Sequence, residues 1–202
     1  MKTKISLLLF VLACSMHSAL WAQSKESKQI RTQLEVYFQS TQNKNWEGVM
    51  DQVYPKIFDN TPREQIIAMF NDMENRGMKM DFNRFEIVSI SEVKKSDIEK
   101  FALVFYLSEF SIEFLGEEYH TAEVMSMMEE SFYNNYGREN VEYNPAEYLF
   151  KIKANKKIFA VANKKTNDWK FIEYTADNAS KMDLFIPAEI RLDLLSTEES
   201  KK

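Results

Sequence analysis

The sequence predicts an α+β fold in which N-terminal helices pack on a curved, mostly antiparallel sheet of about five to six strands. Three observations predict it. Apolar residues recur at helical spacing through the first third of the chain. From Met78 the spacing changes to the strand period of two. A run of short strands separated by turn signals then follows, before short C-terminal helices.

Residues 24–41 carry Ile30, Leu34, Tyr37 and Phe38, the stripe of an amphipathic helix. Trp46, Val49, Met50 and Val53 continue that spacing until Pro55 stops it. The stretch "NTPREQIIAMFNDMENRG" at 60–77 predicts a third helix over 62–76. Thr61 is placed to cap it, Glu64 to complete a capping box and Gly77 to close it. Residues 78–93 are rich in β-branched and aromatic side chains. Residues 98–114, "IEKFALVFYLSEFSIEF", form a long strand whose first half is apolar on both faces. Its second half sets Glu109, Ser111 and Glu113 against Phe110, Ile112 and Phe114, so one face loses its cover partway along.

An inserted helix is expected near 117–136, with Val124, Met127, Met128, Ser131 and Phe132 on one side and Gly137 at its end. Short strands at 141–143, 148–154, 158–163 and 169–175 follow, with turns at "NPAE", "ANKK" and "KTND". Residues 180–195 read as one or two helical segments, the second starting at Pro187, and 196–202 as a polar tail. No repeat or linker divides residues 23–202, which are expected to form one domain.

The first residues, "MKTKISLLLFVLACSMHSALWAQSKES", combine Lys2 and Lys4 with a short apolar run and small residues before Ala22. This is the pattern of a secretory signal peptide over 1–22. The expected location is periplasmic or secreted, with a lipid anchor at Cys14 as the alternative. Cleavage removes Cys14, the single cysteine, so the exported chain has no disulfide and no thiol chemistry. No apolar stretch is long enough for a transmembrane segment. The formal charge of −5, made more negative by loss of Lys2 and Lys4, speaks against nucleic acid as a partner.

The charge is uneven. Residues 109–147 hold ten Glu and one Arg, and residues 151–170 hold seven Lys and one Asp. Phe150, Phe159, Trp169 and Phe171 are interleaved with those lysines. The pattern reads either as a face for an anionic partner or as lysines that keep edge strands soluble.

Chemistry-bearing motifs are scarce. His120 is the one histidine left after cleavage, and it stands in a polar "EEYHT" turn without a nucleophile motif. No metal set, phosphate loop or cofactor motif is present, so none is expected. Asp51, Tyr54, Asp59, Asp81 and Glu109 are the acids and phenol nearest a pocket mouth, and no catalytic role is assigned to them. The enzymatic reading requires one such acid to be buried. The nine methionines beyond residue 22 serve either as core filler or as lining for an apolar ligand.

Three helices followed by a long curved sheet is the element order of the nuclear-transport-factor-2-like superfamily, the cone shared with ketosteroid isomerases and SnoaL-like cyclases. The stretch "NWEGVMDQVYPKIFDNTPREQIIAMF" resembles the passage from the second helix to the third in these proteins. The resemblance covers about residues 29–114 and 148–174. It implies a cone whose helices wall a pocket, here lined by Tyr37, Trp46, Tyr54, Phe70 and Tyr106, and a homodimer packed through the sheet. The expected function is an exported, non-catalytic binding or interaction module, one form of which holds a small hydrophobic ligand in the cone pocket. The alternatives are an isomerase or dehydratase using a pocket carboxylate, and an interaction module with a filled cone.

Overall fold

The computed structural model describes residues 25–199; the stretch expected to be a signal peptide, 1–22, and Cys14 within it lie outside them. Helix α1 (Lys25–Gln42) buries Ile30, Leu34 and Phe38, the stripe that its spacing predicts. Helix α2 (Trp46–Gln52) starts at Asn45, whose side chain accepts the Gly48 N–H at 3.1 Å. A 3-10 turn at Pro55–Asp59 leads to α3 (Arg63–Asp72).

Helix α3 is shorter than its signals predict. Pro62 sits at the cap in an extended conformation, with no side-chain cap bond, and Thr61 is left exposed. The helix is tied down through Arg63, which reaches Glu47 and Asp51 on α2 at 2.7 Å each. No residue of α3 is fully buried. After Asp72 the chain tightens into turns that end at Gly77, with φ of +74°. A Cβ there would stand 2.9 Å from the Gly116 backbone nitrogen. Gly77→Ala is therefore expected to lower stability by about 1–3 kcal/mol in a urea titration.

The sheet has six antiparallel strands: β1 (Met78–Ile90), β2 (Lys94–Lys95), β3 (Glu99–Phe114), β4 (Val141–Asn144), β5 (Leu149–Asn163) and β6 (Lys170–Tyr174). It is curved and does not close. The order is β1-β3-β5-β4, with β2 also on β3 and β6 also on β5. Bulges at Phe82/Arg84 and Ile87/Ser89 break the β1 register and increase local twist. The turn expected at "ANKK" does not form. Ala154–Lys157 instead continue β5 against Ser108–Phe105, because the long β3 offers an unbroken ladder to pair with. Lys157 covers Phe105 and Tyr174, with its ammonium 5.5 and 6.0 Å from the two rings.

Three apolar clusters cover the two faces. On the inner face, Ala102, Val104 and Tyr106 of β3 and Ile158 and Ala160 of β5 pack under α1, with Trp169 and Phe171. Further along the same face, Phe110, Ile112, Phe114, Phe150 and Ile152 pack under the inserted helix α4 (Ala122–Tyr136). Thr121 caps α4 through the Val124 N–H, and Gly137 (φ +87°) closes it. Its buried methionine is Met125; Met127, expected inward, is 63% exposed.

On the outer face, Phe101, Leu103, Phe159 and Ile172 lie under the C-terminal 3-10 segment (Ala179–Leu184) and helix α5 (Ala188–Glu199), through Met182, Ile186 and Leu194. The double cover that the first half of β3 calls for is thus supplied by the chain itself, where the sequence reading looked to a sheet-to-sheet dimer. Part of the expected polar tail, to Glu199, is helix. Beyond Phe105 the outer face lies bare, and Glu109, Ser111 and Glu113 stand there half-exposed, as the alternation predicts.

Candidate functional site

A cavity of about 530 Å³ lies where β6, the last strand on its edge of the sheet, meets the helices. Its wall is mainly apolar: Met50 from α2, Ile57, Ile66 from α3, Phe171 and Ile172 from β6, and Phe185 after the C-terminal 3-10 segment. The edge of β6 is partly closed by the preceding chain. Val53 bridges Phe171 in parallel, and the Tyr54 N–H donates to the Phe171 carbonyl at 3.0 Å. A larger hollow of about 760 Å³ runs along the outer side of α3, but most of its lining side chains are exposed.

Glu173 sets the chemistry of the cavity. Inward alternation on β6 runs Phe171, Glu173, and Glu173 pairs with inward-facing Ile158. Its carboxyl therefore shares a face with Tyr106 of β3 and meets Tyr37 of α1. Tyr106 donates to Glu173 Oε1 at 2.5 Å and Tyr37 to the same oxygen at 3.5 Å. Behind the strand, Asn178 Nδ2 donates to the Glu173 carbonyl at 2.7 Å, while Asn178 Oδ1 accepts the Thr175 N–H at 2.9 Å. Asn178 thereby holds the end of β6 against the cavity.

The electrostatics follow from this placement. Burial pushes the Glu173 carboxyl above its ordinary value; Lys156 and the two phenols oppose that rise without cancelling it. Lys156 belongs to the same inward row of β5 and pairs with Tyr106. Burial, together with the neighbouring Glu173, lifts the Tyr106 and Tyr37 phenols well above the usual tyrosine range, so both stay protonated as donors. A carboxyl raised by an apolar wall, held by two phenols and bordering a cavity can accept a hydrogen bond from a ligand or exchange a proton with one.

The five residues predicted to line a pocket fall into three places. Tyr37 and Tyr106 converge on Glu173 as described. Trp46 and Phe70 stack on each other with centroids 4.5 Å apart, beside a separate hollow of about 160 Å³ that Met73, Met78 and Met80 share. Tyr54 is turned toward the outer-face cluster, where it packs edge-on against Phe185 and donates to Glu99 at 2.7 Å. The predicted continuous lining is thus divided, because the Val53–Phe171 bridge carries Tyr54 past the edge of the sheet.

The acids singled out from sequence do not include the one whose carboxyl is raised. Asp51 and Asp59 are exposed, and Asp51 pairs with Arg63. Asp81 pairs with Lys44 at 2.9 Å, which holds its carboxyl below the usual range. Glu109 lies on the outer face between Arg84 and Lys153, each at 3.8 Å. The missed residue was Glu173. Its signal was a charged residue at an inward position of an alternating "WKFIEY" strand.

His120 and the lysines of β5 each take a definite place. His120 is half-buried, stacked on Tyr148 at 3.7 Å, with Nε2 donating to the Phe114 carbonyl at 2.7 Å. The lysines of β5 do not make a basic aromatic face. Phe150, Phe159, Trp169 and Phe171 are all buried. On the outer face lysines alternate with carboxylates, as in the Lys79–Glu113 pair at 3.1 Å.

Among the described residues no group of three or more His, Cys, Asp or Glu is placed to hold a metal ion, and no helix is long and apolar enough to cross a membrane. No protein-family model matches the sequence, and no curated protein matches it.

Proposed function

We propose that this chain is a small-molecule-binding protein whose ligand occupies the cavity beside Glu173. The observation that carries the reading is the cavity's make-up: an apolar wall around a single raised carboxyl. Its volume of about 530 Å³ lies within the ordinary range of small-ligand sites. The element order, helices first and antiparallel sheet after, agrees with the cone of the nuclear-transport-factor-2-like proteins that the sequence resembles. The signal-peptide pattern over residues 1–22 supports a role outside the cytoplasm.

A second reading has one specific observation in its favour. Glu173 with Tyr37 and Tyr106 is the set of groups a proton-transfer enzyme of the isomerase or dehydratase type would use. The raised carboxyl would move the proton and a phenol would steady the developing charge.

The binding reading is tested by methyl NMR of the isoleucines against a library of uncharged two- and three-ring compounds. Ligands should shift Ile57, Ile66 and Ile172 at the cavity and leave Ile112 and Ile152, under α4, in place. Hits that shift only the α4 cluster would overturn the reading, and so would a library without hits.

A further inference from the structure

The shape of the hydrogen bonding around Glu173 says more about the ligand than the cavity's size does. Both phenols meet the same oxygen, Oε1. Glu173 Oε2 is used by no hydrogen bond among the described residues, although a carboxylate accepts through both oxygens. Asn178 does not supply the missing donor, since its amide is committed to the Glu173 carbonyl and the Thr175 N–H. The charge at the site is already opposed: Lys156 acts on Glu173 from the sheet, and Lys181 stands on the cavity lining. A cationic head would enter beside Lys181 and face a carboxyl whose charge Lys156 already opposes. An anionic head would meet the carboxyl itself.

Resting on the binding reading above, we infer that the cavity selects an uncharged, apolar molecule bearing a hydroxyl head, which Glu173 Oε2 reads. A hydroxyl is suited to this acid in either protonation state. It donates to the carboxylate and accepts from the carboxylic acid, whereas an ammonium requires the first form and a ketone the second. Tyr37 and Tyr106 remain on Oε1 and orient the carboxyl, so the head meets a fixed acceptor. The apolar body lies against Ile66, Phe171 and Phe185.

The test uses four ligands of one ring system on the full chain: 2-naphthol, naphthalene, 2-naphthylmethylammonium and 2-naphthoate, each titrated at neutral pH and followed by intrinsic fluorescence. A hydrogen bond to Glu173 Oε2 that naphthalene cannot make predicts that 2-naphthol binds about tenfold more tightly than naphthalene and more tightly than either ion. In Glu173→Met the preference for 2-naphthol over naphthalene is expected to fall to within about twofold, because an apolar side chain cannot read the head. Equal binding of naphthalene and 2-naphthol by the parent would overturn the hydroxyl assignment while leaving the cavity a binding site. Tightest binding of the ammonium or of the carboxylate would overturn it in the same way. Binding of none of the four would remove the cavity reading itself. Should Glu173→Met not fold, the ranking on the parent chain still decides.

Discussion

Leu194→Asp is expected to unfold most of the protein at room temperature, whereas Leu192→Asp, two residues away on the same helix, should leave it folded. Leu194 is 1% exposed and sits on the outer-face cluster with Phe101, Leu103 and Phe159; Leu192 is 58% exposed. Even the milder Leu194→Ala removes a side chain from a packed site, at about 2–5 kcal/mol. An aspartate there adds a buried charge with no partner in an apolar cluster. A change at Leu192 belongs to the surface class, within about 0.5 kcal/mol. Urea titrations of the three variants check this. Equal effects at 192 and 194 would mean that α5 does not cover β3. A folded Leu192→Asp beside an unfolded Leu194→Asp would show that the chain's own C-terminus covers the first half of β3.

The second large effect is one of pH. Burial raises the Glu173 carboxyl, so the folded chain keeps a proton that the unfolded chain releases. Native protein then binds more protons than unfolded protein in the interval above the ordinary glutamate value of 4.5. Stability supplied by the neutral acid is complete below that value and is lost as pH rises through the raised one. A tenfold difference in proton affinity corresponds to about 1.4 kcal/mol. Glu173→Gln does not titrate. Its stability relative to the parent should therefore climb between pH 4 and pH 8, whatever the offset at pH 4. Tyr106→Phe should act in the opposite sense. It removes the 2.5 Å bond to the carboxylate, at about 1.5–3 kcal/mol when Glu173 is ionised, and costs less at pH 4. Tyr37→Phe, at 3.5 Å, should cost less than Tyr106→Phe. A flat difference between parent and Glu173→Gln across this range would show that the carboxyl is not raised.

The architecture was legible wherever one face of an element is buried and the other is not. The β3 sequence announces two covered faces as far as Leu107 and one beyond it; burial on both faces runs to Val104, and alternation begins at Phe105. Local signals were less reliable where long-range pairing competes with them. "ANKK" carries turn residues, yet β3 holds it in a strand. The capping signals before α3 are real residue preferences, but Pro62 stays extended and an ion pair to α2 anchors the helix instead.

The site was half legible. Tyr37 and Tyr106 were found because they are large inward residues of predicted elements. Glu173 was passed over because an acid is expected at the surface, and its inward position shows only when the alternation of β6 is followed past Phe171. Trp46, Phe70 and Tyr54 satisfied the same composition rule and fell elsewhere. Which aromatics share a cavity depends on how α3 and the Val53–Phe171 bridge close the sheet edge.

The central claim is that the cavity beside Glu173 holds a small molecule. Native mass spectrometry of the parent and of Ile66→Trp, each mixed with a compound that shifts the cavity methyls, tests it most directly. Ile66 is half-buried on α3 and lines the cavity, so a tryptophan there can fill it without opening the core. One bound copy on the parent and none on the variant is the predicted result; equal loading of both would contradict the claim.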